Sequence, residues 1–387
     1  MKKKIAILGS TGSIGKTLIR ILKKNINNFE IVLLSADKNY QELIKQAKSL
    51  NVKNLIITNK DSFLKLKNND ISKKVNIFNN FQLLDKIFKK KIDYTMSSIS
   101  GLDGLKPTLD IIKYTKCIAI ANKESIICGW NILNTELKKN RTKFIPVDSE
   151  HFSIDYALKN KSISNVKCIY LTASGGPLYN IPLYKFKKIK MSYVLKHPNW
   201  SMGKKISIDS ATLMNKVFEI IEAKKIFNIS YDKLKILIHP KSYVHSLLKF
   251  NDGMIKIIAH DTSMEIPIYN SLPYKKNFNL KTKELDIKKL NNLNFQKVNY
   301  KKFPLVKILS KLPKSDSLFE TVIVTANDEF VKLYLNKKIS YNDLIDKIYK
   351  FIHLPEFAKY KLIKPKKIDT IQNLNSYVRL KIKNLSV

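Results

Sequence analysis

Arginine is nearly absent from this sequence. Of 71 basic residues in a chain of 387, three are arginine (Arg20, Arg141 and Arg379), and the rest are lysine. The formal net charge of +40 by itself suggests a nucleic-acid or anionic-membrane partner. A nucleic-acid surface usually relies on arginine for bidentate contacts to phosphate and guanine. Because the lysines are spread along the whole chain, we interpret the charge as a compositional bias of solvated positions. It favours anionic substrates, and we expect no dedicated nucleic-acid role.

Cysteines and long apolar runs are also scarce. The three cysteines, Cys117, Cys128 and Cys168, form no CxxC pair, and their odd number argues against a disulfide framework. No run of 18 apolar residues occurs, so we expect no membrane span. The first strand is expected by about residue 4, which leaves no room for a signal or transit peptide. These features predict a reduced, cytoplasmic location.

The length of the chain and its 44% hydrophobic content predict two or three packed domains. In the first part, short apolar runs such as KIAILG at 4–9 alternate with helical stretches. This alternation is typical of an α/β fold with an N-terminal Rossmann-like, doubly wound parallel sheet. We expect this Rossmann-like domain over residues 1–147, a central α+β domain over 148–275, a linker over 276–302 and a C-terminal helical domain over 303–387.

Three glycines with GxxGxxG spacing follow the first predicted strand and open a helix: Gly9, Gly12 and Gly15. Glycines there permit a tight turn and the close approach of a pyrophosphate. The N-terminus of the helix then supplies free N–H groups and a favourable dipole. In this strand–turn–helix context, the spacing predicts dinucleotide binding.

The end of the second strand usually selects between NAD and NADP. Here it reads Asp37-Lys38-Asn39. Asp37 favours the ribose hydroxyls of NAD, whereas Lys38 and Asn39 are able to hold a 2′-phosphate. The residues alone leave the choice open.

A carboxylate pair lies in the segment PVDSEH at 146–151. It follows an apolar run, so Asp148 is expected at the carboxyl edge of the sheet, where doubly wound folds bind ligands. In a strand-like segment Asp148 and Glu150 point the same way. Two such carboxylates suit Mg²⁺ or Mn²⁺. The alternative is that Asp148 caps a surface helix.

A second polar cluster opens a helix predicted over residues 210–227. Asn215, Lys216 and Glu219 have the spacing that places them on one helix face, and Ser210 suits either an N-cap or a phosphate contact. Such a set is able to bind a phosphate and to bring a third carboxylate to a metal. The alternative is a capped amphipathic helix with an ordinary Lys–Glu pair.

A third cluster is HPNWSMG at 197–203, where a tryptophan lies between proline and glycine in a polar stretch. This pattern is typical of a mobile flap that covers a substrate, here expected near residues 197–205, although a packed loop tryptophan would also fit. Two shorter runs follow predicted strands: ANKES at 121–125, and TASGGP at 172–177, whose turn is able to offer backbone N–H groups to an anion.

In combination, these segments resemble the 1-deoxy-D-xylulose 5-phosphate reductoisomerase family. The resemblance rests on GSTGSIG, ANKES, PVDSEH, LTASGGP, HPNWSMGKKISIDSAT, MNK and IHPKS, in that order, and on TAND at 325–328. It runs from residue 5 to at least residue 335. PVDSEH and HPNWSMG are far more specific than the glycine turn.

The resemblance implies the reductive isomerisation of 1-deoxy-D-xylulose 5-phosphate, a small sugar phosphate, to 2-C-methyl-D-erythritol 4-phosphate in non-mevalonate isoprenoid synthesis. It implies NADPH as the reductant, bound by the domain over residues 1–147. It also implies Mg²⁺ or Mn²⁺ as the metal of a catalytic domain over residues 148–275, with Co²⁺ as a further candidate. It also implies a homodimer that has no membrane partner.

The resemblance further implies a role for each matching residue. The metal ligands would be Asp148, Glu150 and Glu219. The catalytic residues would be these three with Lys123 and His197. The substrate would be bound by Lys123, Ser149, Glu150, Ser174, His197, Trp200, Ser210, Asn215, Lys216 and Glu219, with Met202 beside Trp200 on the flap. NADPH would be bound by Thr11, Gly12, Ser13, Ile14, Lys38, Asn39, Asn122, Glu124 and Gly203.

The sequence departs from the family pattern at three places. Asp37 stands where the family usually has glycine, beside the expected 2′-phosphate, which an acidic group would repel. Val217 replaces a usual glycine in the phosphate-binding helix. Residues 260–265 read HDTSME where the family has a G-x-P-D-M-R run.

Three other interpretations compete with this one. A semialdehyde dehydrogenase needs a nucleophilic cysteine in a Gly/Asn-rich turn, but all three cysteines lie in or beside apolar runs, which excludes it. A nucleic-acid-binding protein would explain the charge and would bind with a steep salt dependence, but it gives no reason for three carboxylates beside a flap tryptophan. A decayed, inactive homologue is opposed by the intact set of ligands.

Overall fold

The structure is a computed structural model that describes residues 2–273 and 279–385. The chain divides into two compact units. Unit 1 contains Met1–Ser125, Leu133–Phe152 and Met264–Thr282, and unit 2 contains Ile126–Ile132, Ser153–Ser263 and Lys283–Val387. The boundary predicted between residues 275 and 276 lies outside the described residues, and the predicted domain limits stay predictions.

Unit 1 is built on a parallel sheet. Its strands are β1 (Lys3–Leu8), β2 (Phe29–Ala36), β3 (Asn54–Ile57), β4 (Asn76–Phe78), β5 (Tyr94–Ser97), β6 (Cys117–Ile120) and β7 (Lys143–Pro146). Their order across the sheet is β4-β3-β2-β1-β5-β6-β7, and every neighbouring pair is parallel. The chain reverses its winding direction between β1 and β5, which is where doubly wound folds bind ligands. The predicted Rossmann-like sheet is confirmed.

Helices connect these strands because each buried apolar run is followed by an amphipathic one. They are α1 (Ser13–Lys23), α2 (Tyr40–Leu50), α3 (Lys60–Lys67), α4 (Leu84–Ile87), α5 (Leu105–Ile112), α6 (Lys123–Lys139) and α7 (Ser149–Ala157); α6 and α7 each contain residues of both units. The buried core of unit 1 includes Ile5, Ile7, Leu34 and Leu55, each fully inaccessible to solvent.

A later part of the chain returns to unit 1. Helix α11 (Glu265–Ser271) packs beside α1, where Arg20 Nε lies 3.0 Å from Glu265 Oε1. The Ser271 hydroxyl lies 2.6 Å from the Tyr94 hydroxyl. These contacts join residues 177 and 245 positions apart, so no local pattern indicates them.

Unit 2 is built on a mixed sheet of order β11-β10-β8-β9-β12. Its strands are β8 (Val166–Ala173), β9 (Leu234–Ile238), β10 (Val244–Phe250), β11 (Ile255–Ala259) and β12 (Gln296–Lys297). Strands β8 and β9 are parallel, and the other pairs are antiparallel. The predicted α+β character of this part of the chain is confirmed.

The helices of unit 2 follow the sheet and dominate the C-terminal part of the chain. They are α8 (Met191–Leu195), α9 (Lys204–Ala211), α10 (Met214–Phe227), α12 (Ile287–Asn291), α13 (Phe319–Leu335), α14 (Tyr341–Ile352) and α15 (Ile368–Leu385). The predicted C-terminal helices are thus present. Over residues 2–273 and 279–385, no helix has the length and apolarity that crossing a membrane requires.

The single helix predicted over residues 210–227 is wrong. Helix α9 ends at Ala211 and α10 begins at Met214, because Leu213 has a φ of +58°. A side-chain-bearing residue rarely adopts this left-handed conformation, so the surrounding packing must hold it there. Ser210 therefore lies in the last turn of α9 and is not the N-cap of a long helix. Apolar residues continue through the break, so the hydrophobic periodicity of the sequence did not indicate it.

Candidate active site

The glycine turn after β1 has the geometry of a pyrophosphate cradle. Gly9 has a φ of +78°, and a Cβ there would lie 2.7 Å from the Ser98 carbonyl oxygen. A Cβ at Gly15 would lie 2.5 Å from the Ser10 Cα, so both positions require glycine. Gly12 precedes α1 in extended conformation and supplies no side-chain cap to its first turn. The turn therefore fits a bound pyrophosphate at the positive end of the helix dipole.

The other predicted nucleotide contacts of unit 1 surround this turn or follow other strands. Ser13 and Asn39 are exposed, and the Asn39 side chain accepts a hydrogen bond from the Glu42 N–H at 3.1 Å, which caps α2. Asn122 is buried after β6 and accepts the Ser125 N–H at 2.6 Å. The amide of Asn122 also donates to the carbonyls of Ile99 and Gly101.

Lys123 and Asp148 form an ion pair within unit 1. His151 Nδ1 lies 3.3 Å from Asp148 Oδ1 on the other side of the carboxylate, and the His151 side chain is fully buried. Burial acts to raise the pKa of Asp148, but the Lys123 charge and the contact with His151 outweigh it. The pKa of Asp148 therefore lies well below its ordinary value, and the carboxylate is ionised at neutral pH.

The segment around Asp148 is not strand-like, so that part of the prediction is wrong. Helix α7 begins at Ser149, and Asp148 Oδ1 accepts the Glu150 N–H at 3.2 Å. Asp148 thus precedes a helix, as the capping interpretation held, and it also faces Lys123. The Ser149 hydroxyl donates to Glu150 Oε2 at 2.5 Å, which orients the second carboxylate.

Ser174 and His197 meet within unit 2, with Ser174 Oγ 3.0 Å from His197 Nε2. His197 Nδ1 accepts two backbone N–H groups, from Asn199 at 3.1 Å and from Trp200 at 3.0 Å. Because Nδ1 is an acceptor, the proton of the neutral ring lies on Nε2 and points to Ser174. Burial lowers the pKa of His197 to about 4, so the ring is neutral near pH 7.

The Ser174 turn packs against the end of α9. Gly176 has a φ of +68°, and a Cβ there would lie 2.6 Å from the Ser210 carbonyl oxygen. The Gly176 N–H donates to Ser174 Oγ at 3.0 Å. Glycine is required at this close approach, which brings the turn carrying Ser174 to the backbone of Ser210. Two predicted phosphate ligands, 36 residues apart, are thereby neighbours in unit 2.

Helix α10 carries the third carboxylate. Lys216 Nζ forms an ion pair with Glu219 Oε2, and the Asn215 amide donates to Glu219 Oε1. The Lys216 side chain is 4% exposed and that of Glu219 is 1% exposed. The predicted convergence of these three side chains on one helix face is confirmed.

The segment that contains Trp200 is tethered through its asparagine. Asn199 Nδ2 donates to the Pro240 carbonyl at 2.5 Å and to the Ser242 hydroxyl at 2.8 Å. Met202 is half-buried, whereas Gly203 is exposed directly before α9, and a Cβ at Gly203 would meet no atom within 4 Å. Trp200 is also only half-buried. The anchored Asn199 beside exposed residues is consistent with a flap.

Sequence reasoning missed two histidines in this region of unit 2. The Trp200 ring meets the His245 ring edge-on, with 6.1 Å between the ring centroids. The His245 ring stacks on the His260 ring, with 3.7 Å between the centroids. His245 lies on β10, and His260 directly follows β11, so the antiparallel pairing of these strands brings them together. In the sequence, His260 stood out only because residues 260–265 depart from the family pattern.

Comparisons with known proteins agree along the whole chain. Three family models match: 1-deoxy-D-xylulose 5-phosphate reductoisomerase over residues 5–129, its C-terminal domain over 144–227, and the DXP reductoisomerase C-terminal domain over 261–381. The 1-deoxy-D-xylulose 5-phosphate reductoisomerase of Pelagibacter ubique (strain HTCC1062) is 59% identical over all of both chains. That of Clostridium novyi (strain NT) is 37% identical over 99% of both chains.

Solved structures give the same result. The reductoisomerase of Zymomonas mobilis in complex with NADPH has a TM-score of 0.87 at 29% identity, over 100% of this chain and 99% of that chain. A DOX-P reductoisomerase in complex with NADPH, fosmidomycin and magnesium has a TM-score of 0.89 at 27% identity, over 99% and 98% of the two chains.

Proposed function

The chain belongs to the 1-deoxy-D-xylulose 5-phosphate reductoisomerase family, and we propose how its own residues carry out the reaction of that family. It is an NADP-dependent oxidoreductase that converts 1-deoxy-D-xylulose 5-phosphate to 2-C-methyl-D-erythritol 4-phosphate with NADPH and a divalent metal such as Mg²⁺. The strongest support for this function is the 59% identity to a reductoisomerase over the full length of both chains.

The proposed metal ligands are Asp148, Glu150 and Glu219. Carboxylate oxygens are the donors that Mg²⁺ and Mn²⁺ prefer, and each of these three is oriented by a neighbouring donor. Lys123 orients Asp148, Ser149 orients Glu150, and the Asn215 amide orients Glu219. A metal held there would supply Lewis-acid polarisation of the substrate carbonyl. Lys123 contributes a positive charge beside the developing oxyanion.

The proposed phosphate site uses Ser174, Ser210, Asn215 and Lys216. The oxygen of Ser174 accepts the Gly176 N–H and faces the Nε2 proton of His197. Because both acceptor positions are used, the Ser174 hydroxyl hydrogen is directed outward, where it suits a phosphate oxygen. His197 is thus a neutral positioning residue, and Lys216 supplies the positive charge.

For the reductant, we propose that the glycine turn and the first turn of α1 bind the pyrophosphate of NADPH. The contacts would come from Thr11, Gly12, Ser13 and Ile14, with Lys38 and Asn39 at the adenosine ribose and Asn122, Glu124 and Gly203 nearer the nicotinamide. Trp200 and Met202 would cover the substrate and exclude water while the hydride passes to the aldehyde.

Removing the metal tests this site. NADPH oxidation after addition of 1-deoxy-D-xylulose 5-phosphate should fall by more than about a hundredfold when the protein is treated with a chelator, and Mg²⁺ should restore it. NADPH binding, followed by fluorescence, should survive the treatment because the glycine turn carries no metal ligand. Turnover that continues in rigorously metal-free protein would contradict the proposed role of the carboxylates.

We also propose a homodimer that forms along β11. Among the described residues β11 pairs with β10 alone, and its outer face exposes Ile255 and Ile257 next to Met254. An open apolar edge strand is a ready template for pairing with a second copy. Ile257→Lys should therefore yield monomers in analytical ultracentrifugation. Leu64→Lys, at an even more exposed leucine on α3, should leave the dimer intact; a dimeric Ile257→Lys variant would refute this interface.

We further propose that the enzyme acts in the cytoplasm. The support is chemical: Cys117, Cys128 and Cys168 are buried and form no disulfide, as in proteins of a reducing compartment. Cell fractionation with antibody detection tests this location, and recovery of the protein in an extracytoplasmic fraction would contradict it.

A further inference from the structure

The end of β2 is fixed to the glycine turn by Ser35. The Gly9 N–H donates to Ser35 Oγ at 3.0 Å, and the Ser10 N–H donates to the Ser35 carbonyl at 2.8 Å. Asp37 follows two residues later, which is about 7 Å along an extended chain. Asp37 thus directly follows the anchored end of β2, at the position where dinucleotide-binding folds recognise the adenosine ribose.

Asp37 is exposed but held in place. Thr58, directly after β3, donates its hydroxyl to Asp37 Oδ1 at 2.9 Å, and the Asn59 N–H donates to the Asp37 carbonyl at 3.3 Å. The hydrogen bond from Thr58 is accepted by one of the two carboxylate oxygens of Asp37, and it thereby fixes the orientation of the other oxygen. The segment directly after β2 therefore presents a positioned anion at the proposed nucleotide site.

The next two residues, Lys38 and Asn39, are suited to binding a phosphate. Lys38 and Asn39 are exposed, and the Lys38 carbonyl is fixed by the Ser62 hydroxyl at 2.9 Å. A carboxylate at this position accepts hydrogen bonds from the ribose hydroxyls of NAD, whereas a base favours the 2′-phosphate of NADP. This chain carries both kinds of recognition side by side.

We propose that Asp37 is a specificity-determining residue that weakens the preference for NADPH over NADH, so that the enzyme takes NADH as a second reductant. The carboxylate accepts a hydrogen bond from the 2′-hydroxyl of NADH and repels the 2′-phosphate of NADPH. Lys38 retains enough attraction for that phosphate to keep NADPH bound. This inference rests on the proposed nucleotide site and goes beyond it in naming the second reductant.

The test measures binding of 2′,5′-ADP and 5′-ADP, which carry the ribose with and without the 2′-phosphate, by isothermal titration calorimetry. Asp37→Asn keeps the size of the side chain and removes its charge. It should tighten 2′,5′-ADP by on the order of tenfold and weaken 5′-ADP severalfold. The gain should shrink at high salt because the site is exposed. The ratio of kcat/KM for NADPH over NADH should rise in parallel.

Asp70→Asn is the matched control, because this 97% exposed aspartate of unit 1 undergoes the same charge change outside the site. Its fragment affinities should equal those of the wild type. An unchanged ratio of the two affinities in Asp37→Asn would overturn the inference. If the wild type binds neither fragment, the inference and the proposed nucleotide site are both wrong. Fragment binding without turnover would contradict the proposed function alone.

Discussion

Replacing Asp148 by asparagine is expected to lower kcat/KM by at least about a thousandfold while the fold persists. Asparagine retains an oxygen that is able to accept the Glu150 N–H, so the start of α7 should remain. What is lost is the negative charge that pairs with Lys123 and that we assign to the metal. An amide oxygen is a weaker ligand than a carboxylate for a hard divalent cation, and Lys123 loses its orienting partner.

Steady-state NADPH oxidation over a range of Mg²⁺ concentrations checks this prediction, with circular dichroism as a test of the fold. Asp110→Asn is the control: Asp110 forms an exposed i,i+4 pair with Lys106 on α5, and such pairs contribute little. Its activity should match that of the wild type. A folded Asp148→Asn variant with near-normal turnover at ordinary Mg²⁺ concentrations would remove Asp148 from the metal site.

The second large effect is expected on stability. Lys216→Met should lower the free energy of unfolding by about 3 kcal/mol, because it leaves the buried Glu219 carboxylate without its cation. The Asn215 amide still donates to Glu219, but a neutral donor does not balance a buried charge. Adding Glu219→Gln to this variant should recover most of the loss, since the remaining buried group is then uncharged.

Urea denaturation of the single and double variants measures both effects. Lys332→Met is the control, because Lys332 pairs with Glu329 three residues earlier on the exposed side of α13, and Arg379 stays beside Glu329; a loss below about 1 kcal/mol is expected there. Mg²⁺ should stabilise Lys216→Met more than the wild type if Glu219 is a ligand, because the ion replaces the lost charge. Equal stability of Lys216→Met and Lys332→Met would show that the buried pair contributes nothing net.

Local patterns in the sequence determined much of this protein. The alternation of apolar and amphipathic runs predicted the parallel sheet, because the periods of strand and helix are properties of neighbouring residues. Glycine spacing after β1 predicted the pyrophosphate turn, since few residues tolerate the φ of Gly9. The i,i+3 and i,i+4 spacing of Asn215, Lys216 and Glu219 predicted their contacts for the same reason.

Other features were decided only by tertiary structure. The break at Leu213 was invisible because its apolar side chain fits the helical pattern, whereas its positive φ is imposed by packing. The return of α11 to unit 1 and the stacking of His245 on His260 join segments that are distant in sequence or set by strand register. A sequence pattern records the preference of each segment, but contacts between segments depend on the free energy of the whole fold, which settles such conflicts.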